Sequence, residues 1–167
     1  AGLTLSVLLG RAGLRVALID PADEKALSDD AVNGRTVALM NASLNILRGT
    51  GAWPKLEEVA TPLKIMQIID VSRAKGEPVS EAFDASDIDK EQYGFNIPNN
   101  ALRAALFDAA KNEKNISLYL EQALSTYSIK GQKVVAETST GQIIESQLLC
   151  GADGRNSTVR EIAGIGV

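Results

Sequence analysis

Residues 3–12, LTLSVLLGRA, are apolar on almost every side, with only Thr4, Ser6 and Arg11 polar. A helix patterned in this way is buried, here against a sheet. Gly13 is a suitable C-terminal stop. Residues 15–20, RVALID, form a short apolar run closed by an acid and broken by Pro21, the pattern of a buried parallel strand. Residues 21–34 are polar and acidic and read as a loop or weak helix. The stretch 36–48 suggests a helix capped near Asn41 and stopped at Gly49 or Gly51, with another helical turn at 54–59. Residues 63–71 read as a strand and 95–97 as a second one, joined by a polar, loop-rich stretch at 72–94.

A further helix is predicted from Asn99, a suitable N-cap, to about Lys111. Residues 116–120, ISLYL, read as a strand. Three more follow at about 123–129, 132–138 and 142–149. Their Gly-containing connections at 130–132 and 139–141 suit tight hairpins and an antiparallel meander. The apolar run at 148–151 reads as a last strand, followed by ADGRNS and a helix start at Thr158. No internal repeat or low-complexity segment interrupts this order. It predicts an α/β fold with a largely parallel sheet and an antiparallel β-meander.

Composition narrows the chemistry. The 167 residues amount to about one domain. Hydrophobic residues make up 45% and charged residues 23%, which excludes a disordered or membrane-spanning chain. The net charge of −4, with no basic tract, argues against general nucleic-acid binding. The single cysteine excludes a disulfide framework and a zinc cluster. Zero histidines remove the usual triads, His-metal sites and imidazole acid–base chemistry. No catalytic side chain and no metal ligand is assigned, and the chemistry is expected to come from a cofactor. No apolar run approaches the ~20 residues of a membrane span, and no basic segment precedes the first one as in a signal peptide. The expected setting is cytoplasmic. Both ends read as cuts through a larger protein.

Two segments carry candidate chemistry. The first is a helix leading into a strand that ends in an acid. In a dinucleotide-binding βαβ unit the last glycine of GxGxxG opens the helix, whose N-terminus holds a pyrophosphate. An acid about 20 residues beyond the glycine loop holds the ribose. Gly2 and Asp20 fit those positions, although an ordinary βα unit with a surface aspartate fits as well. The second segment is LLCGADGRNSTVR, residues 148–160. Here glycines let backbone approach a ligand, Asp153 offers an acceptor and Ser157 can cap the next helix. A plain polar strand-to-helix turn is the alternative.

Together these segments resemble FAD-dependent hydroxylases of the p-hydroxybenzoate hydroxylase type. AGLTLSVLLGRAGLRVALIDP resembles the continuation of their GxGxxG motif, and GADGRNSTVR their Asp-Gly motif. NGRTVALMNASLNILRGTGAWPKL and FNIPNNALRAAL match two further stretches. The combination most resembles the ubiquinone-biosynthesis branch, the 2-polyprenyl-6-methoxyphenol hydroxylase-like enzymes. The likeness covers nearly the whole chain and is weakest over 72–94.

The resemblance implies a Rossmann-like FAD-binding domain, incomplete over residues 1–167, with 63–97 as the first excursion into a substrate-binding domain. It implies that Gly2 lies near the FAD pyrophosphate and that Asp20 holds the adenosine ribose. Arg35 would reach toward the flavin side, unless it is a solvated loop charge. Asn99 would lie near the cofactor, though a helix cap explains it equally. Asp153 and Gly154 would serve both FAD and a nicotinamide donor, NAD(P)H or another reductant, and Arg155 would add a phosphate contact. Cys150, Trp53 and the two methionines read as packing residues.

The implied activity is aromatic-ring hydroxylation: reduced flavin activates molecular oxygen, and one atom goes to an electron-rich phenol. A polyprenyl phenol substrate implies a membrane-peripheral encounter or a place in a biosynthetic complex. The family's leading strand and its later Gly-Asp motif are not among these residues, so this span alone is expected to be inactive. A flavin-dependent isoprenoid reductase shares the first motif, and a non-catalytic scaffold module is the rival outside catalysis.

Overall fold

The computed structural model describes residues 1–31, 34–71 and 79–166. In chain order the elements are α1 (Gly2–Arg11), β1 (Val16–Asp20), α2 (Glu24–Ser28), β2 (Thr36–Met40), α3 (Asn41–Gly49), β3 (Thr61–Leu63), β4 (Ile65–Asp70) and β5 (Val79–Asp84). They continue with β6 (Gly94–Pro98), α4 (Asn99–Lys111), β7 (Ile116–Leu120), β8 (Leu124–Lys130), β9 (Lys133–Thr138), β10 (Ile143–Ser146) and α5 (Thr158–Ile162). The chain divides into two compact units, residues 1–29 with 103–167 and residues 30–102.

In the first unit β1 and β7 pair in parallel, Val16 opposite Ile116 through Asp20 opposite Leu120. Helix α1 packs on this pair. The approach is close because Gly10 has no side chain: a β-carbon there would stand 2.7 Å from Glu113 Cγ and 3.0 Å from Ile116 Cγ1. Asn115 Nδ2 donates to the Gly10 carbonyl at 2.8 Å, fastening the helix end to the start of β7. Val7, Phe107 and Ala110 are fully buried in this unit. The meander β8–β9–β10 is antiparallel throughout, with an irregularity between Leu124 and Thr126.

In the second unit β2, β6 and β3 form an antiparallel sheet with β6 in the middle. Leu44, Leu47, Leu56 and Ile97 are its largest buried apolar residues. The Trp53 ring meets Phe95 edge-on at 5.2 Å, and the Arg48 guanidinium lies 5.2 Å from the indole centroid. Trp53 is thus a packing residue, as expected. Strands β4 and β5 form a separate two-stranded ribbon. Ile65 and Ile69 stand on one face of β4, and Met66 and Ile68 on the other. All four are exposed.

Several sequence expectations are corrected. The α/β fold with parallel pairing and an antiparallel meander is as expected, but among the described residues the parallel pairing is that of β1 with β7 and the other ladders are antiparallel. The helix expected over 36–48 begins at Asn41, because residues 36–40 pair along their whole length with β6. Their burial alternates with period two, as a strand requires. The strand expected at 63–71 breaks at Lys64: β3 joins β6, whereas β4 joins β5. The stretch read as loop at 72–94 contains β5 and a helical turn at 85–88. Its portion 72–78 lies outside the described residues.

The run at 148–151 joins none of the described ladders. Cys150 is accordingly exposed rather than a core residue. The methionines are also more open than expected, Met40 at 41% and Met66 at 44% exposure.

Candidate functional site

Gly2 opens α1. Ala1 before it provides no side-chain cap, and the first turn holds no acid. The opening N–H groups of a helix have no carbonyl partner within it and carry the positive end of its dipole. An uncapped, acid-free first turn therefore suits an anion. Gly2 also admits a close neighbour, for a β-carbon built on it would stand 3.3 Å from Ala152 Cβ. The Gly-Ala-Asp-Gly loop thus sits beside the start of α1.

Asp20 ends β1 and is half-buried. Helix α1 of ten residues rises ~15 Å, and β1 of five spans ~16 Å. The short 12–15 turn reverses the chain between them, so Asp20 lies at the same end as Gly2. Asp20 Oδ1 accepts the Ala22 N–H at 2.9 Å, which turns the chain sharply after the strand. The Asp20 carbonyl accepts the Gln122 N–H at 3.2 Å, and the Ala22 carbonyl accepts the Glu121 N–H at 3.2 Å. The loops that follow the two parallel strands are therefore tied together.

The Asp-Gly loop is held by its own aspartate. Asp153 Oδ1 accepts the Ser157 hydroxyl at 2.5 Å, and Oδ2 accepts the Val159 N–H at 3.2 Å. Ser157 Oγ in turn accepts the Arg160 N–H at 3.1 Å and caps α5. Burial pushes the Asp153 carboxyl up, but the Ser157 hydroxyl and the backbone N–H groups outweigh it and hold the acid below its ordinary range. Asp153 is an organiser of the loop in this arrangement, a role the sequence reading did not give it. Gly154 adopts φ +84°, in the left-handed region, with open space around it. Gly151 packs close to α5: a β-carbon there would stand 2.9 Å from Val159 Cβ. The Arg155 carbonyl accepts from Arg160 Nη2 at 2.9 Å.

The other two predicted residues belong to the 30–102 unit. Arg35 directly precedes β2, Asn99 directly follows β6, and the Asn99 N–H donates to the Arg35 carbonyl at 2.9 Å. Both are exposed. The structure thus brings Gly2, Asp20 and the Asp153–Gly154 loop to one end of one unit, and Arg35 beside Asn99 in the other. Sequence reasoning missed Asn100, which is buried and donates from Nδ2 to the Ala31 carbonyl at 2.7 Å. Helical phase was the available signal, since only one of two adjacent asparagines can face inward. It also missed the polar cluster of Gln122, Thr138 and Thr140.

The donor set of the first unit fits a dinucleotide. It offers unpaired helix amides for a pyrophosphate and a strand-end acid for a ribose. Its glycine-rich loop keeps side chains out of the way. Comparison with known proteins agrees. The family model described as FAD binding domain matches residues 1–167. The chain is 27% identical over 168 residues to the 3-demethoxyubiquinol 3-hydroxylase of Escherichia coli K12, covering 99% of this chain and 42% of that protein. It is 29% identical over 166 residues to the ubiquinone hydroxylase UbiL of Rhodospirillum rubrum, covering 99% and 38%. The chain thus spans about two-fifths of the length of these curated relatives. Among solved structures, pqsL, a probable FAD-dependent monooxygenase from Pseudomonas aeruginosa, superposes with a TM-score of 0.71 at 20% identity, covering 99% of this chain and 43% of that one. The flavin-dependent monooxygenase PieE, solved with FAD and substrate, gives 0.72 at 22% identity, covering 98% and 30%. At these identities the superpositions speak for the fold alone.

Proposed function

Since the chain belongs to the FAD binding domain family, we propose that it forms the cofactor-holding part of an FAD-dependent aromatic-ring monooxygenase. One observation carries the reading. Gly2 and Ala152, distant in sequence, are neighbours, for a β-carbon built on Gly2 would stand 3.3 Å from Ala152 Cβ, so the helix start and the Asp-Gly loop form a single corner. In this reading the α1 amides hold the pyrophosphate, and Asp20 accepts from the adenosine ribose. Asp153 keeps the 151–157 loop in shape, with Gly154 leaving room for cofactor and donor. Arg35 offers a fixed, always-charged fork toward the flavin side, and Asn99 lies near it.

Bound FAD would supply the oxygen chemistry, which no side chain of this composition replaces. The protein's part is to bind, orient and exclude water. Residues 63–97 are read as the first excursion into a substrate-binding domain. The likeness to ubiquinone hydroxylases supports a polyprenyl phenol as substrate, with NAD(P)H or another donor as reductant and molecular oxygen as co-substrate. No helix among the described residues is long and apolar enough to cross a membrane. A cytoplasmic protein meeting an apolar-tailed substrate at a membrane surface, or within a biosynthetic complex, completes the reading.

The test is oxygen uptake coupled to NAD(P)H oxidation by the full-length protein, with a polyprenyl phenol present and the product ring analysed by mass. Uptake with one added oxygen atom in the ring is expected. Reductant oxidation that saturates an isoprenoid chain without oxygen uptake would replace the reading with a reductase. A protein that binds no flavin would be a scaffold.

A further inference from the structure

We propose that Gln122 and Thr138 are positioning residues for Asp20, so that a polar cluster at the tip of the β9–β10 hairpin sets the affinity for the adenosine end of the cofactor. The inference rests on the reading of Asp20 as the acid that holds the ribose.

Thr138, the last residue of β9, is only 1% exposed. A hydroxyl that deeply buried must find partners, because leaving it unpaired is costly. Thr138 Oγ1 accepts the Gln142 N–H at 3.3 Å and donates to Gln122 Oε1 at 2.8 Å. Thr140 Oγ1 donates to the same oxygen at 2.8 Å. An amide oxygen has two lone pairs, so both are used and the plane of the Gln122 side chain is fixed. Ser139 holds the next residue at two points: its N–H donates to the Ala123 carbonyl at 2.8 Å, and its Oγ accepts the Ala123 N–H at 3.1 Å. The hairpin tip therefore clamps residues 122 and 123.

The clamp continues into the site. The Gln122 N–H donates to the Asp20 carbonyl, and the Glu121 N–H to the Ala22 carbonyl. Glu121 sits at φ +56°, a left-handed conformation that a non-glycine residue holds only where its surroundings impose it. These bonds fix the backbone on both sides of the Asp20 turn. The Ala22 N–H takes Asp20 Oδ1, which leaves Oδ2 as the oxygen for a ribose hydroxyl. Gln122 and Thr138 make no cofactor contact in this scheme, and they act by holding the carboxylate where it is.

The test is FAD affinity, measured by flavin fluorescence on the full-length apoprotein. Thr138→Val keeps the shape and removes the hydroxyl, and is expected to raise the Kd about five- to tenfold, the size of one or two lost hydrogen bonds. Thr138→Ser restores the hydroxyl and is expected to stay within about twofold of the parent. Gln122→Ala should match Thr138→Val, and it carries the test if the valine variant does not fold. The decisive readout is coupling. In an Asp20→Asn background Thr138→Val should add less than about twofold, because the group it positions is already impaired. Parent-like affinity in both Thr138→Val and Gln122→Ala would overturn the proposal. So would a full additional loss on top of Asp20→Asn, which would make the cluster merely structural. Parent-like affinity of Asp20→Asn by itself would instead remove the ribose role of Asp20, and the proposal with it.

Discussion

Gly2 faces Ala152 at the start of α1, with 3.3 Å between Ala152 Cβ and the place where a Gly2 side chain would begin. The relationship joins the anion-suited end of a helix to the loop that carries Asp153. A β-carbon at position 2 would already be a tight fit, and a branched side chain there would crowd Ala152.

Gly2→Val is therefore expected to push the 151–154 loop away from the helix. Two further methyl groups would stand where Ala152 already sits, and overpacking of this kind costs about 1–3 kcal/mol. FAD affinity should fall at least about tenfold with the secondary structure retained. Flavin titration together with circular dichroism checks this, and an unchanged affinity would show that the corner is not part of the cofactor site.

Gly154→Val separates strain from crowding. Open space surrounds Gly154, but its φ of +84° disfavours a branched residue by about 1–2 kcal/mol. The fold should survive, and reduction of the flavin by its donor should slow because the turn is reshaped. Stopped-flow reduction at the parent rate would make the turn purely structural.

The Asp153–Ser157 pair gives the loop a pH dependence. Burial raises the Asp153 carboxyl, and the hydrogen bonds from Ser157, Val159 and Thr158 lower it further than burial raises it. Because the folded value lies below the unfolded one, the ionised acid stabilises the loop above the ordinary carboxylate range of about 4, and that contribution disappears as the pH falls through the folded value. Ser157→Ala should move the loss to higher pH. An NMR titration of the Val159 amide reads the midpoint directly, and the same midpoint in parent and variant would sink the assignment.

Gly94→Ala tests the other unit. A β-carbon on Gly94 would lie 2.0 Å from the Leu39 carbonyl oxygen and 2.8 Å from Met40 Cα, both backbone. Neither can move without parting β2 from β6, so a loss of about 3 kcal/mol or more is expected. The shift of the urea midpoint measures it. A parent-like midpoint would mean that the two strands do not approach so closely.

How far the sequence reveals this arrangement follows from where each signal resides. Strands β1 and β7 were visible because VALID and ISLYL are short apolar runs rich in strand-forming residues, the first closed by Pro21. The meander was visible through its glycines, and Gly131 and Gly141 do take positive φ. Strand β2 was hidden, since TVALM runs into α3 with no breaker and its Ala, Leu and Met also favour a helix. Only pairing with β6, remote in sequence, decides it. Strand β5 was hidden by its polarity, because a ribbon exposed on both faces leaves no apolar alternation to read. Gly2, Asp20 and Asp153 could be proposed from local motifs. The link from Thr138 through Gln122 to Asp20 could not, because it exists only once a hairpin tip has folded back on the end of a parallel strand pair.

The β4–β5 ribbon carries a consequence for local opening. Its two strands hold each other through one ladder and a Gln67–Ser80 side-chain bond of 2.8 Å, and residues 65–70 are exposed throughout. An isolated two-stranded hairpin is at best marginally stable in water. The ribbon's amides should therefore exchange with deuterium early and at a rate that low concentrations of urea barely change, while the amides of β6 wait for the whole unit to unfold.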